Sequence, residues 1–375
     1  MENYTSDSSD SDSHTIDYQN RNFKLSKIED DFLNMFKSER SYGDIETIIL
    51  YNNQLGSLPL SLVKFYNLNT LDVSNNFLTT IDIEVLVQCP LRTLIAKNNQ
   101  LTNASLPKTF KSKLGQLREL NLSGNQLTHF PDQVLELKSI KYLYLNGNLI
   151  ENIHKDVWKM KNCLTFSFPF FLSFLLLLFV GSLHLLSLGG NRLRSIPESI
   201  GSLSQLQALN LCDNFIEQIP SSVGRLHNLK TLSLHKNVIK TLPRELISLQ
   251  NLTELSLRDN PLVVRFVQEL AMTPTSLKEI SARVVKTFGV PFEPVDVPRT
   301  IIDYLQSANC CVNPECKGVF FDNRVENIKF IDFCGKYRVP FLQYLCSSRC
   351  IENDNVSSDP QPSASGYMMR KVLLG

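Results

Sequence analysis

The sequence carries almost no excess charge of either sign. Its 38 lysine and arginine residues nearly balance its 37 aspartate and glutamate residues, so the formal net charge is +1. A near-neutral chain gives no electrostatic reason to expect nucleic acid or an anionic membrane as a partner. The sequence also lacks a glycine-rich phosphate loop, a convincing nucleophile–base set and paired catalytic carboxylates. These absences argue against an enzyme and favour a binding protein.

The start of the chain has no secretory signal pattern. Residues 1–22 are rich in Ser and Asp, which predicts a disordered tail. The nine cysteines are an odd number, which argues against a complete set of intrachain disulfides and favours a reducing compartment. We therefore expect a cytoplasmic protein, with the nucleus as a second location.

One pattern, L-x-x-L-x-L-x-x-N-x-L, occurs nine times along the chain. The first copy places Ile45, Ile48, Leu50, Asn53 and Leu55 at its fixed positions. Its asparagine then recurs at Asn76, Asn99, Asn125, Asn148, Asn191, Asn214, Asn237 and Asn260. Six of the eight intervals are 23 residues long, and this period and consensus identify the chain as a member of the leucine-rich repeat family.

The resemblance implies an α/β fold: a nine-repeat solenoid with a parallel sheet on its concave face. Each repeat makes one short strand, whose leucines are buried only when neighbouring repeats stack on it. Five repeats carry a proline on the outer side, which predicts brief helical or extended turns on the convex face. A small helical, Cys-rich module is expected after the last repeat.

The interval between Asn148 and Asn191 is 43 residues, and its surplus lies at Cys163–Ser182, CLTFSFPFFLSFLLLLFVGS. An apolar run of about 20 residues ordinarily suggests a transmembrane helix. However, a membrane span would separate two repeats that depend on each other for burial. The Phe, Leu, Ser and Pro content matches a translated pyrimidine-rich tract before a splice acceptor. We interpret the segment as a retained intron or gene-model artefact, with a genuine membrane span or hydrophobic insertion as alternatives.

The concave face is the predicted site for a protein target. Side chains alternate along a strand, so the positions between the buried leucines face solvent. Exposed Tyr and Arg on a rigid concave sheet are the residue types that anchor interfaces. An ordinary solvated face is the alternative. The candidate target-binding residues are Tyr51, Lys97, Glu119, Tyr142, Tyr144, Asn210, Asp213, His235, Lys236 and Arg258.

Two segments after the repeats resemble the docking motifs of ubiquitin-ligase substrate receptors. In the first, Ser276, Leu277, Ser281 and Val285 match the BC box, which binds elongin C. On a helix, Leu277, Ser281 and Val284 or Val285 would share one face and enter an apolar groove. An amphipathic capping helix is the alternative explanation.

The second segment, at Val297, Pro298, Ile301 and Leu305, resembles the cullin box that follows the BC box in the von Hippel–Lindau protein. The resemblance implies cullin-2 or cullin-5 as a partner, besides elongin B and elongin C. A helix that begins at Pro298 and packs its aliphatic side chains inward is the alternative.

The Cys-rich segment contains two close pairs, Cys311 with Cys316 and Cys346 with Cys350. Pairs of thiolates at such spacings suit tetrahedral zinc, and a closed set of four sulfurs indicates a structural ion. The segment contains no histidine, so all four ligands would be cysteines. Cys310 is an alternative to Cys311, and buried reduced thiols are the alternative to a metal site.

Outside residues 163–182, the chain also resembles one subgroup of leucine-rich-repeat proteins through NPLVVRFV, IKF-x-DFCGKYR, QYLCS and the terminal KVLLG. We therefore expect a non-enzymatic substrate receptor of an elongin–cullin ubiquitin ligase in the Ubl conjugation pathway. A signalling scaffold without an elongin partner is the alternative. The predicted divisions are a tail at 1–22, a capping helix at 23–44, the solenoid at 45–265, the BC-box and cullin-box module at 266–309, the Cys-rich module at 310–352 and a flexible tail at 353–375.

Overall fold

The structure is a computed structural model that describes residues 14–35, 42–86, 89–110, 114–160, 183–263, 275–292, 297–313, 316–332, 338–352 and 371–373. The chain forms two compact units. The solenoid unit comprises Met1–Val238, Ile247–Asn260 and Arg370–Gly375, and the C-terminal unit comprises Ile239–Leu246 and Pro261–Met369. The segment 163–182, whose origin we questioned, lies outside the described residues. Among the described residues, no helix has the length and apolarity needed to cross a bilayer.

The solenoid unit contains one parallel sheet of eleven strands, which confirms the predicted repeat fold. Nine of its strands come from the nine repeats, and each is three residues long with a buried central residue. The strands, in spatial order, are β1 (Thr15–Asp17), β2 (Thr47–Ile49), β3 (Thr70–Asp72), β4 (Thr93–Ile95), β5 (Glu119–Asn121), β6 (Tyr142–Tyr144), β7 (Leu185–Ser187), β8 (Ala208–Asn210), β9 (Thr231–Ser233), β11 (Glu254–Ser256) and β16 (Lys371–Leu373).

The first and last strands lie outside the predicted solenoid boundaries. β1 falls within residues 1–22, which we predicted to be a disordered tail, and pairs with β2. β16 falls within the predicted flexible tail 353–375 and pairs with β11. Both predictions were wrong at these residues, because three-residue strands at a sheet edge leave no periodic signal in the sequence.

Buried asparagines join successive repeats. The side-chain amide of Asn76 donates to the carbonyl of Leu50 in the preceding repeat at 2.9 Å, and its Oδ1 accepts from the backbone N–H of Leu55 at 3.0 Å. The same pair of bonds recurs along the solenoid. Each asparagine therefore satisfies backbone groups that the sharp turn after a strand would leave unpaired.

The residue before each of these asparagines has a left-handed backbone. The positions are Asn52, Asn75, Asn98, Gly124, Gly147, Gly190, Asp213, Lys236 and Asp259, with φ between +52° and +67°. Asn, Asp and Gly are the residues that adopt this conformation at little cost. Lys236 is the exception among them.

The convex side carries short 3₁₀ helices, as the prolines predicted. Pro59, Pro131, Pro197 and Pro220 each precede the first residue of such a helix, where a fixed φ and a missing N–H are tolerated. The 3₁₀ helices on this side span Leu60–Lys64, Ile83–Leu86, Asp132–Glu136, Val157–Met160, Glu198–Ser202, Ser221–Arg225 and Arg244–Ser248.

The predicted N-terminal capping helix is present as α1 (Leu25–Asn34). It buries Ile28 and Phe32 completely, and the Phe32 ring lies 5.0 Å from that of Phe65. The carboxylate of Glu29 accepts hydrogen bonds from the backbone N–H groups of Leu60 and Ser61 at the start of a 3₁₀ helix. Phe36, which falls within the predicted capping helix, lies outside the described residues.

The C-terminal unit mixes helices and strands, whereas we predicted a helical module. Its elements are β10 (Leu242–Pro243), α2 (Leu277–Phe288), α3 (Arg299–Gln306), β12 (Asn309–Cys310), β13 (Val319–Phe320), β14 (Val325–Asp332), β15 (Arg338–Leu345) and α4 (Arg349–Glu352). β14 and β15 form an antiparallel pair, and β10 joins β15 in parallel. This pairing places residues 239–246 in the C-terminal unit, although the repeat pattern assigned them to the solenoid.

We predict that Lys236→Asn stabilises the solenoid by about 0.5–1 kcal/mol, because asparagine tolerates the left-handed backbone that lysine adopts at a cost. The midpoint of urea unfolding would report the change. Lys230→Asn, a neighbouring exposed position without a positive φ, is the control and should not raise stability. Equal effects at both positions would show that backbone strain at Lys236 is not the cause.

Candidate functional sites

The four predicted metal ligands lie together in the C-terminal unit. The sulfurs of Cys311, Cys316, Cys346 and Cys350 are all within 4.8 Å of one another. The Sγ atom of Cys346 is 3.4 Å from that of Cys316 and 3.6 Å from that of Cys350. Four sulfurs bound to one zinc ion would be about 3.8 Å apart, given Zn–S distances near 2.3 Å. The cluster therefore fits a tetrahedral metal ion.

Backbone elements converge to form this cluster. Cys311 follows β12, Cys346 follows β15, and Cys350 lies in α4. The buried side chain of Asn313 donates to the carbonyl of Cys350 at 3.2 Å, which joins the loop after β12 to α4. The exposed Cys310 is not among the clustered residues, so Cys311 is the ligand candidate of the two.

Gly318 is a part of the cluster that sequence reasoning missed. Its N–H donates to the Cys316 sulfur at 3.3 Å, and its carbonyl accepts from the Cys311 N–H at 2.9 Å. A Cβ atom at this position would lie 2.7 Å from the Cys346 sulfur, closer than real Cβ contacts allow. The available signal was the glycine two residues after Cys316, in the sequence Cys-Lys-Gly.

The surroundings of Cys346 favour the protonated form of its thiol. Burial raises the pKa of the Cys346 thiol, and hydrogen bonds with the thiols of Cys316 and Cys350 raise it further. Thiolates are therefore disfavoured at this position unless a positive charge compensates them, as a coordinated metal ion does. Cys334 lies outside the described residues.

Helix α2 has one buried face and one exposed apolar face. Ser276 caps its first turn by accepting from the Glu279 N–H at 3.2 Å, and Gly289 ends it with φ +61°. Glu279 and Ala282 are buried on the inner side. The outer side presents a stripe of large apolar residues with exposures of 80%, 48%, 47% and 77%, namely Leu277, Ile280, Val284 and Phe288.

The structure divides the predicted BC-box residues between these two faces. Ser276, Leu277 and Ser281 are exposed. Val285 is half-buried and packs against the core cluster of Ala282, Leu305 and Phe321. The accessible stripe therefore uses Val284, the alternative that we considered, as its aliphatic residue.

The predicted cullin-box residues lie mainly against the same core. Leu305 is only 4% exposed and Ile301 packs beside it, so these side chains hold α3 in place. The alternative interpretation, a helix begun by Pro298 with inward aliphatic residues, describes this segment. The predicted role of Leu305 as a direct cullin contact is therefore wrong in this conformation, because its side chain is buried. Val297 and Pro298 remain accessible.

A buried ion pair fixes the inner face of α2. The Glu279 carboxylate pairs with Arg283 at 2.6 Å and accepts from the backbone N–H of Asn323 at 2.9 Å. Arg283 also donates to the carbonyl of Cys346 at 2.9 Å. The guanidinium group of Arg283 therefore contacts both α2 and a cysteine of the cluster. Sequence reasoning missed this pair, although Glu and Arg four residues apart on a helix were a signal.

The ten predicted target-binding residues of the solenoid are all exposed or half-exposed. Tyr142 lies beside Glu119 in register on the next strand. Burial raises the pKa of the Glu119 carboxyl, and burial together with nearby Glu119 raises the pKa of the Tyr144 hydroxyl. Asp213 and Lys236 lie at the left-handed turn positions that follow the strands. These residues form a rigid surface, because the ladder of hydrogen bonds fixes every strand.

The pattern, sheet and asparagine bonds define a leucine-rich-repeat solenoid. Family comparisons agree: the family described as "Leucine-rich repeat region" matches residues 174–287, "Leucine rich repeat" matches residues 90–150, and "Leucine Rich Repeat" matches residues 67–89. These repeat families typically supply binding surfaces rather than catalytic sites.

The similar curated proteins include leucine-rich repeat-containing protein 58, to which the subgroup stretches pointed. The protein of Xenopus tropicalis is 45% identical over 122 residues, which cover 31% of this chain and 35% of the relative. The Homo sapiens protein is 41% identical over 126 residues, which cover 31% and 34%. The aligned segment thus spans about a third of each relative's length.

Solved structures with a similar fold include a Leptospira interrogans leucine-rich-repeat protein and the functional domain of InlJ from Listeria monocytogenes. The first is 28% identical with a TM-score of 0.41, over 59% of this chain and 62% of that chain. The second is 20% identical with a TM-score of 0.48, over 68% and 46%.

We predict that Gly318→Ala destabilises the C-terminal unit by about 1–3 kcal/mol, because the added methyl group overlaps the cluster sulfurs. Thermal unfolding in reducing buffer would measure the loss. Gly56→Ala is the matched control, since a Cβ at that position meets nothing within 4 Å. A Gly318→Ala protein as stable as the control would contradict the close packing described for the cluster.

Proposed function

We propose that this protein is the substrate-recognition subunit of an elongin B/C–cullin ubiquitin ligase, with cullin-2 or cullin-5 as the cullin. The solenoid binds a protein target on its concave face, and the exposed face of α2 docks on elongin C. Catalysis belongs to other subunits of the ligase. The protein acts in the cytoplasm, with the nucleus as a second site, and it requires neither nucleic acid nor a membrane.

The observation that carries the proposal is the exposure of Leu277, which is 80% accessible at the capped start of a fixed helix. Full burial of an aliphatic side chain contributes about 1.5–3 kcal/mol. Leu277, Ile280, Val284 and Phe288 follow helical spacing along one face, the arrangement by which a helix enters an apolar groove. Ser281 is a small residue in the same stripe and permits close approach of the partner.

The inner face of α2 supports the same interpretation. The Glu279–Arg283 pair and Ala282 attach the helix to its own unit, so the apolar stripe does not depend on a partner for its position. A pre-positioned helix loses less conformational entropy when it binds. For the cullin, Val297 and Pro298 supply the accessible contact, while Ile301 and Leu305 support them from the core.

A structural zinc ion at Cys311, Cys316, Cys346 and Cys350 completes the proposal. Four thiolates would fill the coordination shell, which leaves no open position for a substrate or water molecule. The ion would therefore stabilise the fold of the C-terminal unit and take no part in chemistry. Its four ligands would tie the loop after β12 to the end of β15 and to α4.

Co-purification with elongin B and elongin C tests the docking helix. We expect the full chain to form a stable ternary complex and Leu277→Asp to abolish it, because the change places an unpaired charge in an apolar groove. Leu33→Asp is the matched control, since Leu33 is 49% exposed on α1 in the solenoid unit. The control should retain elongin, and circular dichroism should show that both variants are folded.

A folded wild-type chain that ignores elongin would reject the ligase proposal and leave the signalling scaffold. A complex that Leu277→Asp does not weaken would show that elongin binds elsewhere on the chain. In either case the concave face would still be available to a protein target.

Metal analysis tests the proposed zinc site. We expect one zinc ion per chain by inductively coupled plasma mass spectrometry after purification with zinc in the medium. Cys346→Ser should remove the ion, and Cys310→Ser, a control at an exposed cysteine outside the cluster, should retain it. A metal-free wild-type protein that keeps its stability in chelator would favour the alternative of buried reduced thiols.

A further inference from the structure

A row of basic residues crosses the middle of the solenoid sheet. The residues immediately before β4, β5, β6 and β7 are Arg92, Arg118, Lys141 and His184. The N–H of each of the last three donates to the carbonyl of the preceding member at 2.8 Å, so the four residues are direct neighbours. Strands in a sheet are about 4.8 Å apart, which makes the row roughly 14 Å long.

Three of the four residues in this row are cations that take part in no ion pair found among the described residues. They are Arg92, Arg118 and Lys141. Arg92 and Arg118 are exposed and Lys141 is half-exposed. Since the whole chain is nearly neutral, three adjacent cations on one row are a local concentration of charge.

The surroundings of the row indicate the kind of partner. Beside it on the sheet lie Thr93, Glu119, Tyr142 and Leu185, which are paired in register. Tyr142 is 39% exposed and its ring centroid lies 6.4 Å from that of His184. Cations beside an accessible aromatic ring are the combination that anchors protein interfaces. Glu119 is the only carboxylate among the row and the four residues beside it, so this group of residues has a net positive charge.

We infer that the row Arg92–Arg118–Lys141–His184 binds an acidic, extended segment of a partner protein, with Tyr142 packing against an apolar or aromatic residue of that segment. This inference rests on the target-binding part of the proposed function and names the chemistry of the target. A segment of four or five extended residues covers the length of the row. Nucleic acid fits less well, because the row is narrow and the formal net charge of the whole chain is only +1.

Fluorescence anisotropy on the full chain tests the inference. The probe is a fluorescein-labelled peptide in which Glu alternates with Thr around a central Tyr, and its comparison is the same peptide with Gln in place of Glu. We expect the Glu peptide to bind at least about tenfold more tightly at low ionic strength, and added salt to weaken its binding.

Charge reversal identifies the binding residues. The triple variant Arg92→Glu, Arg118→Glu, Lys141→Glu should lose at least about tenfold in affinity for the Glu peptide. The control, Arg192→Glu, Arg194→Glu, Arg225→Glu, changes the net charge equally at exposed arginines outside the row. It should change the affinity by less than about twofold.

Three outcomes would overturn the inference: equal binding of the Gln peptide, an equal loss in the control variant, or tighter binding of a single-stranded oligonucleotide than of the Glu peptide. Elongin co-purification of the row variant separates this test from the docking proposal. A row variant that loses the peptide but retains elongin supports both proposals. Peptide binding by a chain that ignores elongin would reject the ligase role alone and leave the acidic partner in place.

Discussion

The side-chain amides of eight buried asparagines hold the solenoid together. Each carboxamide offers two N–H donors and an acceptor. From Asn76 to Asn237, each uses them on backbone groups of its own repeat and of the one before. Asn53 in the first repeat instead donates to the carbonyl of Tyr18 and accepts from the N–H of Phe23. A strand of three residues cannot satisfy those groups by pairing alone. An unpaired buried backbone group costs about 1–3 kcal/mol, so the leucine core depends on this ladder of amides. Leucines supply the apolar area, and asparagines allow the chain to turn within it.

The ladder also explains how the solenoid accommodates the long interval between the fifth and sixth repeats. Asn191 donates to the carbonyl of Leu145 at 3.0 Å, and its Oδ1 accepts from the Ile150 N–H at 3.0 Å, as in repeats of ordinary length. β6 and β7 pair directly in register. These contacts come from residues near the strand and the asparagine. The sheet is therefore continuous across the long interval.

The repeats could be predicted from the sequence because their contacts recur at a fixed distance along the chain. Leucine and asparagine positions predicted the nine strands, and prolines predicted the 3₁₀ turns. Contacts without a period escaped prediction. β16 pairs with β11, which lies more than a hundred residues earlier in the chain. Gly318 is constrained by the sulfur of Cys346, which directly follows β15. The cysteine spacings predicted the four cysteines that cluster, but nothing local distinguished Cys310 from Cys311.

The sequence pattern also did not determine which residues of the two proposed docking segments are buried. Helical spacing placed Leu277 and Ser281 correctly, since i and i+4 share a face. It did not decide between Val284 and Val285, because two successive residues differ by about 100° around a helix and packing chooses the buried one. Val285 is the more buried of the two, because it packs against the core of Ala282, Leu305 and Phe321. The amphipathic pattern of α3 likewise predicted an apolar face without showing that this face is already occupied.

Arg283 connects the two proposals about the C-terminal unit. Its guanidinium group satisfies the buried Glu279 carboxylate and the carbonyl of Cys346, so the orientation of α2 depends on the geometry of the cysteine cluster. Removing one partner from a buried ion pair leaves a charge without compensation, which costs more than the pair contributes. If the cysteine cluster changed its geometry, Arg283 would lose its contact with the carbonyl of Cys346. The position of α2, which Arg283 holds through Glu279, would then change as well. A loss of elongin binding in a cysteine variant would consequently report on α2 through this arginine, whereas Leu277→Asp acts on the docking surface itself.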